Sequence, residues 1–242
     1  MLALHLVGYM AAGFIPAHLT TTRTPRVGAV SMYSGFWQKQ EFVERQSEKA
    51  DAAHAGDFHS LLLSRRTVNA FEPSLPDGWE AAMMRAIEAA TYAPNHKRTE
   101  PWRFHLLGPK AARNVCELNS EIIAAKKGPE AGAKKLNRWL NMPGWLVVTC
   151  VESGAMDEPA SIAREDYAAC CCAVQNLCLS LHADGIGTKW TTGPVNFDPR
   201  FAGAAGLPDD EYVVGTIWFG KAVTQPPPPK KLGVEGVLTR HE

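Results

Sequence analysis

The feature that most constrains the fold is a continuous apolar run, WLVVTCVE, at residues 145–152. Its length suits a single β-strand, and its unbroken apolar character is typical of a strand that is covered on both faces. The chain must therefore supply helices for two sides of a sheet. Its 242 residues, of which 45% are hydrophobic, are enough for one sizeable core.

Helical and strand patterns alternate along the rest of the chain. The clearest helix is DGWEAAMMRAIEAATYAP, residues 77–94, which places Met83, Ile87 and Ala90 on one face. Asp77 and Glu80 predict a capping box at its start. Further strands are predicted at WRFHLLG and YVVGTIWFGKA, and one or two exposed helices over residues 110–140.

A second long helix is predicted over residues 164–187, with Gly185 as its left-handed cap. An apolar stripe with alternating steps of four and three residues predicts packing against another helix, in this chain or in a partner subunit. The stripe consists of Tyr167, Cys171, Val174, Cys178 and Leu181. Because helix exceeds strand, we predict an α+β fold, a sandwich of helices around a central mixed sheet.

Composition and missing motifs exclude several functions. The 25 basic and 25 acidic residues balance, which argues against a protein that coats nucleic acid. None of the six cysteines is spaced as C-x-x-C, so a structural zinc site is not expected, and buried reduced thiols favour a reducing compartment. The chain has no G-x-G-x-x-G, Walker, H-E-x-x-H or G-x-S-x-G motif.

The start of the chain differs from the rest. Residues 1–40 contain no Asp or Glu, and they include Arg23, Arg26 and a threonine run. This is typical of an organellar transit peptide, although a signal-peptide core or a plain tail are alternatives. The early apolar stretch is too short and too broken to span a membrane. We divide the chain into a leader or linker over residues 1–56 and a domain over residues 57–242, and expect a plastid or mitochondrial location with a transit peptide and a cytoplasmic one without it.

Three short segments could carry chemistry. SRRT, residues 64–67, has two guanidinium groups that suit a phosphate. APNHKRTEPWRF, residues 93–104, has a histidine that can donate a hydrogen bond, and GIGTKWTTGP, residues 185–194, offers backbone donors, an indole and hydroxyl groups. Each segment alone also fits an ordinary solvated helix end or turn.

In this order, and followed by GTIWFGKA, these segments resemble the nitroreductase family of FMN-dependent oxidoreductases, above all its small single-domain bacterial type. The resemblance covers about residues 58–225. It implies a homodimer with FMN at the subunit interface and residues from both chains in each pocket. It also implies a ping-pong reaction in which NAD(P)H reduces the flavin and a nitroaromatic, a quinone or a similar small molecule reoxidises it.

The resemblance also assigns residues to the flavin. Arg65, Arg66 and Thr67 would hold its phosphate, ribityl chain and pyrimidine edge. Gly220 would lie near the phosphate end. The remaining candidates are Tyr92 and His96, which would reach the flavin from the partner chain, and Trp190, Thr191 and Thr192, which would line it after the long helix. No residue is predicted to act as a general acid, and no metal site is expected.

Two positions depart from the family pattern. Thr191 stands where relatives often have Arg, and Lys221 where they often have Thr, so Lys221 could restore some positive charge. The alternatives to a reductase are a flavin carrier or sensor without turnover, a specialised dehydrogenase on the same fold, and a structural protein whose long helix forms a dimer core.

Overall fold

The computed structural model describes residues 52–151 and 160–241, and residues from Ala53 onward form one compact unit. The predicted leader over residues 1–56 lies outside the described residues except for the start of the first helix. The helices are α1 (Ala52–Ser64), α2 (Trp79–Thr91), α3 (Pro109–Lys127), α4 (Pro129–Leu140), α5 (Ala160–Ala183) and α6 (Phe201–Ala205). The strands are β1 (Trp102–Leu106), β2 (Gly144–Val151), β3 (Gly187–Thr191) and β4 (Glu211–Gly220).

The four strands form one sheet in the order β1-β2-β4-β3, and all three strand pairs are antiparallel. The sheet is therefore antiparallel rather than mixed, and the pairing of Thr67 with Thr188 is an isolated parallel bridge beside it. The apolar run is β2, which lies in the centre and is buried on both faces, as predicted. β3 is an edge strand of this sheet, and Thr67 pairs with Thr188 on its outer side.

One face of the sheet, which we call the aliphatic face, packs against α2 and α5. Its core contains Leu146, Val148 and Ile217 from the strands and small residues such as Ala86 and Ala173 from the helices. α2 and α5 run antiparallel: Arg85 binds Asp184 just after α5, while the carbonyl of Ala89, further along α2, accepts from Asn176, about two turns earlier in the chain. Small side chains allow these helices to approach closely.

The opposite face, which we call the tryptophan face, is covered by α3, α4 and α6. Trp139 of α4 packs edge-on against Trp145 of β2 and Trp218 of β4, with ring centroids 5.7 and 5.0 Å away. The same face carries a polar cluster in which the Glu211 carboxylate accepts from Thr149 and pairs with the His105 ring at 2.6 Å. The sheet therefore separates a close-packed aliphatic layer from a layer of large rings and polar groups.

Several local predictions are confirmed. Met83 and Ala90 are buried with Ile87 beside them, and Gly185 ends α5 with a φ of 75°. The capping box is wrong, because Gly78 is the N-cap of α2 and no side chain caps that helix end. The helices over residues 110–140 are less exposed than predicted, since they bury Val115, Cys116, Leu118 and Trp139.

The stripe on α5 is buried at Val174, Cys178 and Leu181, where α5 meets the sheet and α2, but Tyr167 is exposed. The six cysteines are thiols rather than disulfides, and Cys172 is exposed rather than buried. Within the described ranges, no helix has the length and apolar character that a membrane crossing requires.

Candidate functional site

A small basic cavity forms where α1 ends. Arg65 and Arg66 follow the helix directly, and they line about 100 Å³ of space together with His182, Gly187 and Gln225. Ser64 fixes this corner, because its hydroxyl lies 2.9 Å from Nε2 of His182 at the end of α5. The sequence motif SRRT thus joins α1 to the end of the long helix.

The charges in this cavity lack an acidic partner among the described residues. Arg66 uses one terminal nitrogen on the carbonyls of Leu63 and Arg65, but its Nε is buried without a hydrogen-bond partner. Burial, and then the charges of Arg65 and Arg66, lower the pKa of His182. The cavity therefore holds uncompensated positive charge and an unused donor, which suits an anion such as a phosphate.

The chain next runs beside the edge strand β3. Thr67 bridges to Thr188, and the amide of Val68 donates to the carbonyl of Thr188 at 3.0 Å. The candidates Trp190 and Thr191 occupy the last two positions of β3, and Thr192 follows it. Arg65, Arg66 and Thr67 therefore lie at one end of β3, while the WTT segment lies at the other.

The position of Trp190 depends on a glycine that sequence reasoning missed. A Cβ atom placed on Gly215 of β4 would lie 2.7 Å from Cδ1 of Trp190 and in closer conflict with Nε1. The indole therefore lies directly over the Gly215 backbone, and it remains about one third exposed. A close approach of this kind is a reason for glycine inside a strand.

Gly220 ends β4 and pairs with Gly187, so it lies at the same end of the sheet as the basic cavity. The next residue, Lys221, binds Glu72 at 2.9 Å. Lys221 is therefore already neutralised by its own chain, and the prediction that it restores missing positive charge gains no support from its position.

Tyr92 and His96 belong to the turn that follows α2. Tyr92 is 81% exposed, and Nδ1 of His96 lies 2.5 Å from a carboxylate oxygen of Glu165 on α5. The turn contains three non-glycine residues with positive φ, at 57°, 55° and 46°: Lys97, Arg98 and Glu100. Such angles are uncommon in residues with a Cβ and persist only where neighbouring contacts enforce them.

Hydrogen bonds from two side chains of the turn, Asn95 and Thr99, hold this backbone. The side chain of Asn95 accepts from the backbone amide of Glu100 and donates to Thr99, and the Thr99 hydroxyl donates to the buried carboxylate of Asp166 at 2.6 Å. These hydrogen bonds attach the turn to the start of α5, while Tyr92 is exposed and His96 is paired with Glu165.

The turn with Tyr92 and His96 and the cavity at Arg65 are therefore not brought together by the described residues of this chain. His96 contacts Glu165 near the start of α5, whereas Ser64, beside Arg65, contacts His182 at its end. At about 1.5 Å of rise per residue, these points lie about 25 Å apart along the helix.

A second cavity, of about 350 Å³, lies beside the WTT segment on the tryptophan face. It includes three cations that the sequence did not single out, Lys135, Arg138 and Lys189. The sequence does place two of these cations, Lys135 and Arg138, close to Trp139 on one helix. It gives no indication that this helix, α4, packs beside β3. Groups of histidine, cysteine and acidic side chains suited to a metal ion are absent from residues 52–151 and 160–241.

Comparison with known proteins gives a consistent result. The family profile described as the Nitroreductase family matches residues 62–221. The Bacillus subtilis protein YfhC, named as a proposed NAD(P)H nitroreductase, is 31% identical over 165 residues, which are 66% of this chain and 81% of that protein. The family match spans all of the candidate residues.

Solved structures share the fold. A nitroreductase-like family protein from Bacillus cereus superposes with a TM-score of 0.64 at 29% identity, over 76% of this chain and 95% of that one. A Desulfitobacterium hafniense nitroreductase with bound FMN gives a TM-score of 0.58 at 16% identity, over 76% and 97% of the two chains. The latter likeness concerns the fold alone.

Proposed function

This chain belongs to the nitroreductase family, and we propose that it is an FMN-dependent oxidoreductase that takes a hydride from NAD(P)H and passes electrons to a nitroaromatic, a quinone or a similar acceptor. The observation that carries the proposal is the basic cavity at Arg65 and Arg66, which lies beside the start of the edge strand β3. The flavin, when bound, supplies the redox chemistry, and the chain's own residues bind and orient it.

The residues present fit an FMN phosphate. The buried, unpartnered Nε of Arg66 needs an acceptor, and the neighbouring His182 already has its pKa lowered by the two guanidinium groups. A phosphate would satisfy that donor and offset the accumulated charge. Gly187 and Gly220 add two backbone positions without side chains at the same end of the sheet.

The two groups of candidates support a homodimer. About 25 Å of α5 separates the turn that carries Tyr92 and His96 from the cavity at Arg65. A second copy related by two-fold symmetry would bring the turn of each chain to the cavity of the other and would create two equivalent sites. The strong exposure of Tyr92 on this turn is what such an arrangement needs.

No described side chain at the β3 edge is placed as a general acid, so we propose that positioning dominates the rate. Trp190 would provide a flat wall, fixed by its contact with Gly215, and Thr191 and Thr192 would offer hydroxyl groups to a polar ring edge. The two co-substrates would occupy the same place in turn, which is a ping-pong scheme.

Arg65→Ala tests the cavity. We expect FMN binding to weaken by about 1.5–3 kcal/mol, the range for hydrogen bonds to charged groups. Arg113→Ala is the matched control, because Arg113 is exposed on α3 and has only a long pair with Glu117. Flavin fluorescence titration measures both. Equal FMN affinity in the two variants would remove Arg65 from the site.

Anaerobic titration with NADH and NADPH separates a reductase from a carrier. A reductase loses its yellow colour on reduction and regains it when a nitroaromatic or quinone is added. A protein that binds FMN but is never reduced is a carrier or sensor. A protein that takes up no FMN contradicts both functions.

A further inference from the structure

The second cavity, which we call the cationic cavity, joins α4 to the end of β3. Lys135, Arg138 and Lys189 supply its charge, and Trp139, Trp190 and Trp218 are among its lining residues. Its volume of about 350 Å³ lies within the range of sites for small molecules. It shares no lining residue with the cavity at Arg65, although consecutive residues of β3 line the two.

The charge of the cationic cavity is uncompensated by the described residues. None of the ion pairs formed by residues 52–151 and 160–241 includes Lys135, Arg138 or Lys189. Among the described residues, these three cations form a hydrogen bond with a side chain at Lys189, which donates to the amide oxygen of Asn69 at 2.8 Å. The cations instead lie over rings, with Lys135 5.6 Å from Trp139 and Lys189 5.4 Å from Trp218.

The electrostatic consequences point to an anion. Burial, followed by the positive charges of Arg138 and Lys127, lowers the pKa of Lys135. Burial, followed by Arg138 and Lys135, lowers the pKa of Lys189. The neighbouring charges that contribute are all cations, so a bound anion would relieve the repulsion.

A second observation is independent of charge. The indole nitrogen of Trp218 is buried without a hydrogen-bond partner, and Trp218 itself is only 4% exposed. A buried donor of this kind usually has an acceptor in a native protein. Here the ring that carries it also lines the cationic cavity.

We propose that the cationic cavity binds the anionic group of an aromatic co-substrate and so selects negatively charged ligands at the WTT end of the flavin site. Trp190, about one third exposed, offers apolar surface to an aromatic ring, and the arginine fork suits a carboxylate or a phosphate. This inference rests on the proposed function. The anionic group is either a carboxylate on the electron acceptor or the 2′-phosphate of NADPH.

Ligand binding to the FMN-loaded full chain tests the proposal without turnover. Benzoate is compared with benzamide, and adenosine 2′-monophosphate with adenosine, by tryptophan fluorescence and calorimetry. The test variant is Lys135→Gln/Arg138→Gln. The control is Lys126→Gln/Lys134→Gln, which removes the same charge from exposed positions on α3 and α4.

We expect at least one anion to bind the wild type more tightly than its neutral analogue, and the test variant to weaken that anion on the order of tenfold. The control and the neutral analogues should not change. Preference for benzoate identifies the acceptor as the source of the charge, and preference for adenosine 2′-monophosphate identifies NADPH.

The proposal is overturned if neither anion binds more tightly than its analogue, or if test and control variants behave alike. It is also overturned if the test variant loses FMN, because the cations would then serve the flavin phosphate. If the wild type takes up no FMN, the proposed function fails, whereas the anion titrations still decide the role of the cationic cavity.

Discussion

The two faces of the sheet differ in how they use their residues. On the aliphatic face, α2 and α5 pack small and aliphatic side chains into the core. On the tryptophan face, large rings leave space for the cationic cavity, and polar groups such as Glu211 are retained inside. Close packing stabilises the domain, whereas gaps edged by rings and charges create room for ligands. Stability and ligand binding should therefore be separable by mutation.

The largest expected effect is on the aliphatic face. Leu177 on α5 is completely buried in that core, and Leu177→Ala should lower the free energy of unfolding by about 3–5 kcal/mol through lost burial and a cavity. Urea unfolding measures the change. Met84→Ala on α2 is the control, because Met84 is 66% exposed and should change stability by less than about 0.5 kcal/mol.

The same variant tests whether stability and ligand binding depend on different faces of the sheet. FMN affinity of the folded Leu177→Ala protein should stay within about twofold of the wild type, since Leu177 lines none of the described cavities. A large loss of flavin affinity at a temperature where the variant is folded would show that the aliphatic core also shapes the site.

Gly215→Ala should have the next largest effect, and here the effect is on binding. The added methyl group conflicts with the indole of Trp190, which is partly exposed and can move away. We expect FMN affinity to fall on the order of tenfold, with a loss of stability of about 1–3 kcal/mol from overpacking. Flavin titration and urea unfolding measure the two effects.

Gly203→Ala is the matched control, since a Cβ there meets no atom within 4 Å. It should be neutral or slightly stabilising. The double variant Gly215→Ala/Trp190→Phe should recover part of the lost stability because its ring is smaller. Unchanged flavin binding in Gly215→Ala would show that the orientation of Trp190 does not matter for the cofactor.

Glu211→Gln probes the polar groups of the tryptophan face. The carboxylate serves both Thr149 and the ring of His105, so an amide can satisfy only part of this network. We expect a loss of about 1–2 kcal/mol in the free energy of unfolding and no change in FMN affinity. A double-mutant cycle with His105→Gln should show coupling between the two residues, and additive effects would argue against a shared network.

The sequence predicted that both faces of the sheet are covered, but it identified the packing residues in detail only for the aliphatic face. The unbroken apolar character of β2 required covered faces, and the spacing of Met83, Ile87 and Ala90 identified the aliphatic packing of α2. These patterns are local and repeat with a known period. The motif SRRT could be recognised in the same way, because its two guanidinium groups are adjacent in one short segment.

The rest depends on contacts between distant segments. Nothing near Lys135 in the sequence indicates Lys189, and only the fold of α4 over β3 brings them to one cavity. Gly215 reads as an ordinary strand glycine until the indole of Trp190 is seen above it. The predicted capping box failed for a local reason instead, because Gly78 with its left-handed backbone takes the N-cap position rather than Asp77.

The smallest effect is expected from His182, where the aliphatic helix α5 meets the basic cavity. Burial and the charges of Arg65 and Arg66 lower the pKa of His182 below its usual 6.5. The unfolded chain therefore binds this proton first as the pH falls, so stability is unaffected above about pH 6.5 and decreases below it. FMN should reduce the decrease, because a phosphate favours the protonated ring.

Urea unfolding at about pH 7.5 and 5.5 checks this pH dependence. His182→Gln should lose less stability on acidification than the wild type does, whereas His241→Gln, at an exposed position, should behave like the wild type. If His182→Gln and the wild type respond equally to pH, the ring does not sense the guanidinium groups. The basic cavity would then be more solvated than the buried Nε of Arg66 indicates. The end of α5 would in that case belong to the solvated site rather than to the packed aliphatic face.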